Sequence, residues 1–177
     1  MQVLIAGIGN VFLGDDGFGV EVARGLFGRG LPQGVWPRDF GVRGFDLACS
    51  MLDSWDLVIL VDAVRRGGEP GSIYVIELDC KKAQALTGSV PSPTIEPHMV
   101  DPLRAIELAN ALGEITAPVI LVGCEPLNFG SDQEFMGLSV VAQRAVGIAT
   151  EIIERMLSDF QQTHSSREAQ ARTGIVM

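Results

Sequence analysis

Short, wholly apolar runs separated by helical patterns constrain the fold of this chain most strongly. The runs at residues 3–6, 57–61 and 119–123 are dominated by Val, Ile and Leu. Runs of this length without polar alternation are typical of strands that are covered on both faces. They predict an α/β fold in which a mostly parallel sheet carries helices on both of its faces.

The remaining elements fill the intervals between these strands. Helices are predicted at residues 15–26, 45–52, 101–112 and 137–160, and weaker strands at 35–40 and 73–78. Pro37 makes the first of these weaker strands edge-like, because proline lacks the backbone donor that an inner strand needs. Residues 1–160 are assigned to one domain. Residues 161–177 are polar and weakly patterned, and they are expected to form a mobile tail.

Composition excludes several classes of function. The 177 residues include 13 basic and 22 acidic side chains, a net charge of −9, so no basic face is expected for a nucleic acid. No apolar run approaches the length of a membrane helix, and the first residues lack the basic segment of a signal peptide. The three cysteines lie far apart and are interpreted as reduced thiols of a cytoplasmic protein.

A glycine-rich turn follows the first apolar run. Gly7-Ile8-Gly9-Asn10 invites comparison with a dinucleotide-binding loop, but Phe12 stands where the third glycine of that fingerprint belongs. Asp15 and Asp16 come next, and their charges would repel a pyrophosphate. The turn therefore favours a cation, and no nucleotide cofactor is expected; a nucleotide-binding oxidoreductase is kept as the alternative.

Asp62 and His98 are two further candidates for a functional site, because one ends an apolar strand and the other precedes a predicted helix. Asp62 ends the most apolar run, so its charge needs backbone donors, a basic partner such as Arg65 or Arg66, or a metal. His98 follows a proline-rich stretch, where a lone histidine more often caps or packs. If Asp16, Asp62 and His98 meet at the carboxyl edge of the sheet, they form an open site suited to zinc, nickel or cobalt.

These residues together resemble the motifs of the hydrogenase maturation proteases. Gly7-Ile8-Gly9-Asn10 followed by Asp15-Asp16-Gly17-Phe18-Gly19 is similar to the N-terminal signature of that family. Later motifs are matched by Val61-Asp62-Ala63, Pro97-His98 and Leu121-Val122-Gly123-Cys124-Glu125-Pro126. The resemblance covers roughly residues 1–159. It implies a three-layer α/β/α sandwich around a small, mostly parallel twisted sheet.

The resemblance also implies an activity. Members of the family are endopeptidases that remove a C-terminal peptide from the large-subunit precursor of a nickel–iron hydrogenase. Asp16, Asp62 and His98 would then be both the metal-contacting and the catalytic residues, around nickel that the precursor contributes. Either a carboxylate activates water while the metal polarises the carbonyl, or the two aspartates perform the acid–base work themselves. A nickel chaperone without catalysis, and a related peptidase acting on another protein, are further alternatives.

Three residues are predicted to bind the substrate: Asn10, Gly41 and Arg43. Some relatives have a D-G-G turn where this chain has Asp39-Phe40-Gly41-Val42-Arg43-Gly44. Arg43 is a departure from that turn, and it either meets a carboxylate of the partner or pairs with Asp46.

Overall fold

A five-stranded sheet in the order β2-β1-β3-β5-β4 lies at the centre of the part of the chain that the structure describes. The structure is a computed structural model and describes residues 1–81, 101–128 and 137–173, with 165–173 described by backbone alone. The strands are β1 (Val3–Ile8), β2 (Val35–Gly41), β3 (Leu57–Ala63), β4 (Ile73–Leu78) and β5 (Val119–Cys124). The helices are α1 (Phe18–Leu26), α2 (Gly44–Met51), α3 (Pro102–Leu112) and α4 (Val140–Thr173), with a 3-10 turn at Asp15–Gly17.

Four of the strands are parallel, which confirms the mostly parallel sheet. β1 pairs with both β2 and β3, and β3 pairs with β5, all in parallel, whereas β4 runs antiparallel to β5 at one edge. β2 forms the other edge, where Pro37 faces Ile5 across the ladder without interrupting an inner strand. The carboxyl ends of β1, β2, β3 and β5 therefore lie along one edge of the sheet.

Alternate residues of the strands build two separate cores, one on each face. Leu4, Ala6 and Ile8 of β1 pack with buried residues of α2 and α3. Val3 and Ile5 point the opposite way and pack with buried residues of α1 and α4. Since successive side chains of a strand alternate between faces, apolar runs are what a doubly covered sheet requires. The three-layer α/β/α sandwich is confirmed.

Several predicted boundaries were wrong. The first strand, predicted at residues 3–6, continues to Ile8. The strand predicted at residues 57–61 continues to Ala63, because Asp62 and Ala63 pair with Gly123 and Cys124 of β5. The last helix begins at Val140 and continues to Thr173 rather than ending at residue 160. Its extra turns lack an apolar stripe but contain good helix formers such as Gln, Glu, Ala and Arg, which favour helix on their own.

The C-terminal part of α4 touches the sheet end that lies opposite the carboxyl edge. His164 Nε2 lies 3.4 Å from Asp56 Oδ1, and Asp56 also accepts a 2.6 Å hydrogen bond from the backbone of Gln2. The mobility of residues 161–177 stays a prediction. None of the described helices is both long enough and apolar enough to span a bilayer.

Candidate active site

Glycines let the turn after β1 pack directly on backbone. Gly9 has a φ of +119°, and a Cβ at this position would lie 1.7 Å from the carbonyl oxygen of Asp16. A Cβ on Gly19, in the first turn of α1, would lie 2.0 Å from the carbonyl oxygen of Val61. These glycines serve close contact within the protein, so the sequence motif does not by itself indicate a phosphate cradle. The nucleotide alternative is not favoured.

Asp16 and Asp62 converge at the carboxyl edge of the sheet. Asp16 lies on the 3-10 turn that follows β1, and its Oδ2 accepts a 2.6 Å hydrogen bond from the backbone of Asn10. Asp62 is the penultimate residue of the adjacent strand β3, and its Oδ1 accepts a 2.8 Å hydrogen bond from the backbone of Ala63. Gly9 lies between them: its Cβ position is 3.6 Å from Asp62 Oδ1.

Both carboxyl groups hold their protons more tightly than an exposed aspartate. Burial raises the pKa of Asp16, and the hydrogen bond from Asn10 opposes this only in part. Burial raises the pKa of Asp62 well above its usual range; the charges of Asp16 and Asp101 add to the rise, and the Ala63 hydrogen bond opposes it. Two carboxyl groups that interact electrostatically titrate as a pair, and the loss of the second proton is unfavourable because it leaves two negative charges side by side.

The simpler interpretation of Asp62, an ion pair with a nearby arginine, finds no support. Asp62 forms no ion pair with any residue in the described ranges. The guanidinium of Arg66 lies 5.6 Å from the ring centre of Tyr74 instead, and its backbone N–H donates to Glu125. His98 lies outside the described residues, so its convergence with the two aspartates stays a prediction. Within those residues no group of three possible metal ligands is present.

Of the three predicted substrate-binding residues, two lie beside the Asp16 turn. Asn10 donates its backbone N–H to Asp16, and Gly41 accepts a 3.1 Å hydrogen bond from the backbone of Gly9. Arg43 is tied to its own turn: Nε donates to the carbonyl of Phe40 at 3.1 Å, a terminal nitrogen donates to the carbonyl of Asp39, and Asp46 lies 3.9 Å away. The predicted local pairing with Asp46 is therefore present, between exposed side chains. Binding of substrate by these residues stays a prediction.

Two buried acids near this edge were not singled out from the sequence. Asp15 was noted for its charge and as part of the N-terminal motif but was given no role of its own, yet its carboxylate is 1% exposed and accepts hydrogen bonds from residues more than 100 positions away. Glu125 accepts from the backbone of Arg66 at 2.8 Å and from the Tyr74 hydroxyl at 2.9 Å; the first of these bonds is the main reason its pKa is lowered. An acid directly after an apolar strand was the available signal for Glu125.

The fold and the site define a class: an α/β protein whose sheet edge carries a buried carboxylate pair. Comparison with known proteins specifies it further. The family profile described as hydrogenase maturation protease (HycI) matches residues 20–156, a span that includes Asp62 but begins after Asp16. The chain belongs to the hydrogenase maturation protease family and is a peptidase.

Individual relatives agree with this assignment. A putative hydrogenase maturation protease of Methanocaldococcus jannaschii is 33% identical over 157 residues, which cover 86% of this chain and 94% of that protein. The hydrogenase expression/formation protein HupD of Bradyrhizobium diazoefficiens is 30% identical over 128 residues, 72% of this chain and 64% of its own length. Among solved structures, the hydrogenase maturating endopeptidase HybD of Escherichia coli has a TM-score of 0.69 at 25% identity, covering 90% of this chain and 93% of its own.

Proposed function

We propose that this peptidase removes a C-terminal peptide from the nickel-loaded large-subunit precursor of a nickel–iron hydrogenase, acting in the cytoplasm. The family assignment supports the class of substrate. All three cysteines, Cys49, Cys80 and Cys124, are free thiols, which suits a reducing compartment.

The buried pair formed by Asp16 and Asp62 is the observation that carries the proposal. Burial and mutual repulsion make two negative charges at this place unfavourable, and no described residue forms an ion pair with Asp62. A cation brought to the pair relieves that repulsion and displaces the retained protons. We assign Asp16, Asp62 and His98 as the residues that contact the precursor's nickel and so place the peptide bond to be cut.

Two routes to cleavage are compatible with such a pair. In the first, one carboxylate takes a proton from the attacking water and passes it to the leaving nitrogen, while the precursor's nickel would polarise the scissile carbonyl. In the second, the aspartates divide the acid and base roles between themselves, as in an aspartic-type peptidase. Only the first route needs nickel for the chemical step.

The test is to incubate the purified protein with precursor prepared with and without nickel and to follow the intact mass of the large subunit. We expect the C-terminal peptide to be lost from the nickel-loaded precursor alone. Cleavage of both forms at the same rate would refute the role of nickel. Nickel bound by the protein alone, with the precursor never shortened, would favour the chaperone alternative.

Variants assign the residues. Asp16→Asn, Asp62→Asn and His98→Ala are each expected to reduce the rate of cleavage by at least about 100-fold, as loss of an acid–base group does. Asp53→Asn is the matched control, since it changes an exposed carboxylate just after α2 and should keep the wild-type rate. Wild-type cleavage by any of the first three variants removes that residue from the site.

A further inference from the structure

The Asp15 carboxylate joins three distant parts of the chain. Its Oδ2 accepts hydrogen bonds from the backbone of Leu127 at 2.8 Å, the backbone of Asn128 at 3.1 Å and the Ser139 hydroxyl at 2.9 Å. Its Oδ1 accepts from the backbone of Ser139 at 2.6 Å. The backbone N–H of Asp15 donates in turn to the carbonyl of Asn128 at 3.2 Å. The segment after β5 and the start of α4 are thus fixed to the turn that follows β1.

The turn that carries Asp15 and Asp16 has little stability of its own. It is a 3-10 turn of three residues, preceded by Gly14 with a φ of +61°, and no side chain caps it. Such short turns depend on outside contacts, because a glycine hinge costs backbone entropy when it is fixed. The two consecutive side chains supply these contacts on different sides: Asp16 towards Asn10, and Asp15 towards residues 127, 128 and 139.

Asp15 cannot act on the precursor directly, because only 1% of its surface is exposed. All four hydrogen bonds that its carboxylate accepts come from uncharged donors, two of them from Ser139, whose hydroxyl also accepts the Ala142 N–H in the first turn of α4. The carboxyl group lies beside the first turn of α4, where the backbone N–H groups of a helix carry partial positive charge. The group is therefore a fully bonded anchor one residue away from a member of the carboxylate pair.

We infer that Asp15 is a positioning residue for peptide cleavage: it fixes the turn that holds Asp16 at its distance from Asp62. This role rests on the proposed function. A turn released on one side lets the Asp16 carboxylate move, and a misplacement of about 1 Å in a reacting group can cost about 100-fold in rate. Affinity for the precursor is expected to change little, because Asp15 does not reach the surface.

The experiment measures kcat and KM for the nickel-loaded precursor, well below each variant's unfolding temperature. Asp15→Ala is expected to lower kcat about 100-fold with KM within about threefold of wild type. Asp15→Asn keeps one acceptor oxygen and loses the hydrogen bond from the Ser139 N–H, so its kcat should lie between those of wild type and Asp15→Ala. Ser139→Ala removes only the hydroxyl bond and should lower kcat least. If Asp15→Ala does not fold, the order wild type, Ser139→Ala, Asp15→Asn still decides the matter.

Asp56→Asn is the matched control. Asp56 also accepts a backbone N–H bond, from Gln2, but it lies at the opposite edge of the sheet. This variant is expected to unfold at a lower temperature while keeping the wild-type kcat. The role of Asp15 is overturned if Asp15→Ala or Asp15→Asn keeps the wild-type kcat, if KM alone changes, or if Asp56→Asn loses kcat equally. Failure of wild-type protein to shorten the precursor would instead refute the proposed function, and this role with it.

Discussion

Replacing Gly9 by alanine should disable the site while leaving its acids in the sequence. The new Cβ would lie 1.7 Å from the Asp16 carbonyl oxygen, whereas real Cβ contacts are essentially never shorter than 3.0 Å. The Gly9 and Asp16 backbones must therefore separate by about a further 1.3 Å, the difference between these two distances. The residue also has a φ of +119°, which an alanine adopts only with strain of about 1–3 kcal/mol.

Both effects act on the same carboxylate. A shift of that size breaks the 2.6 Å hydrogen bond from Asn10 to Asp16 and changes the separation of Asp16 from Asp62. We expect the rate of precursor cleavage to fall about 100-fold. The free energy of unfolding should fall by about 2–4 kcal/mol, from the backbone strain and the displaced contacts together.

Gly25→Ala is the matched control, because Gly25 lies in α1 and a Cβ there meets nothing within 4 Å. It should keep full activity and gain about 0.5–1 kcal/mol of stability from the better helix propensity of alanine. The assays are intact-mass measurement of the large subunit and urea unfolding. If Gly9→Ala cleaves at the wild-type rate, the close approach of the turn to β1 does not set the geometry of the pair.

Two further predictions concern protonation. Asp62→Asn should lose cleavage yet be more stable than wild type at pH 8. Because the pKa of Asp62 is raised, the folded protein holds a proton that the unfolded chain releases near pH 3.8. The stability of the wild type therefore falls as the pH rises through the pKa of Asp62 in the folded protein. Urea unfolding at pH 4, 6 and 8 checks this, and a wild type more stable than the variant at pH 8 contradicts it. Burial and the charges of Asp15 and Glu125 raise the pKa of Cys124 to about 12. Iodoacetamide at pH 8 should therefore modify exposed Cys49 and spare Cys124 in the folded protein, which a peptide map checks. Rapid labelling of Cys124 would contradict this prediction.

The sequence predicted the sheet and its neighbours well because apolar periodicity carries that information directly. Residues 57–61 and 119–123 read as buried strands, and both are covered on two faces in the structure. The end of α4 was missed because periodicity reports burial, whereas residues 161–173 form a helix that lacks an apolar stripe. The sequence of β4 also does not indicate that the strand is antiparallel, since strand direction depends on the connection between strands and not on their composition.

At the site, residue type and position in the chain were sufficient to predict that Asp16 and Asp62 lie close together. Asp16 follows β1, and Asp62 lies in the last two residues of the neighbouring parallel strand β3, so both lie at the same edge of the sheet. The contacts of Asp15 could not be predicted, because three of its four donors are backbone groups, of Leu127, Asn128 and Ser139. Every residue type except proline offers such a donor, and the sequence therefore does not indicate which ones will be used.

Packing of backbone on backbone around Gly9 and Gly19 has one more consequence. Where side chains separate a helix from a strand, a change of rotamer lets the two slide; here the contacting atoms are main-chain carbonyls and glycine α-carbons, which have no rotamers to change. The backbone positions of the Asp16 turn and of the end of β3 are consequently set when the protein folds, before any precursor arrives. Binding energy from the precursor need not be consumed in bringing these two backbone segments together.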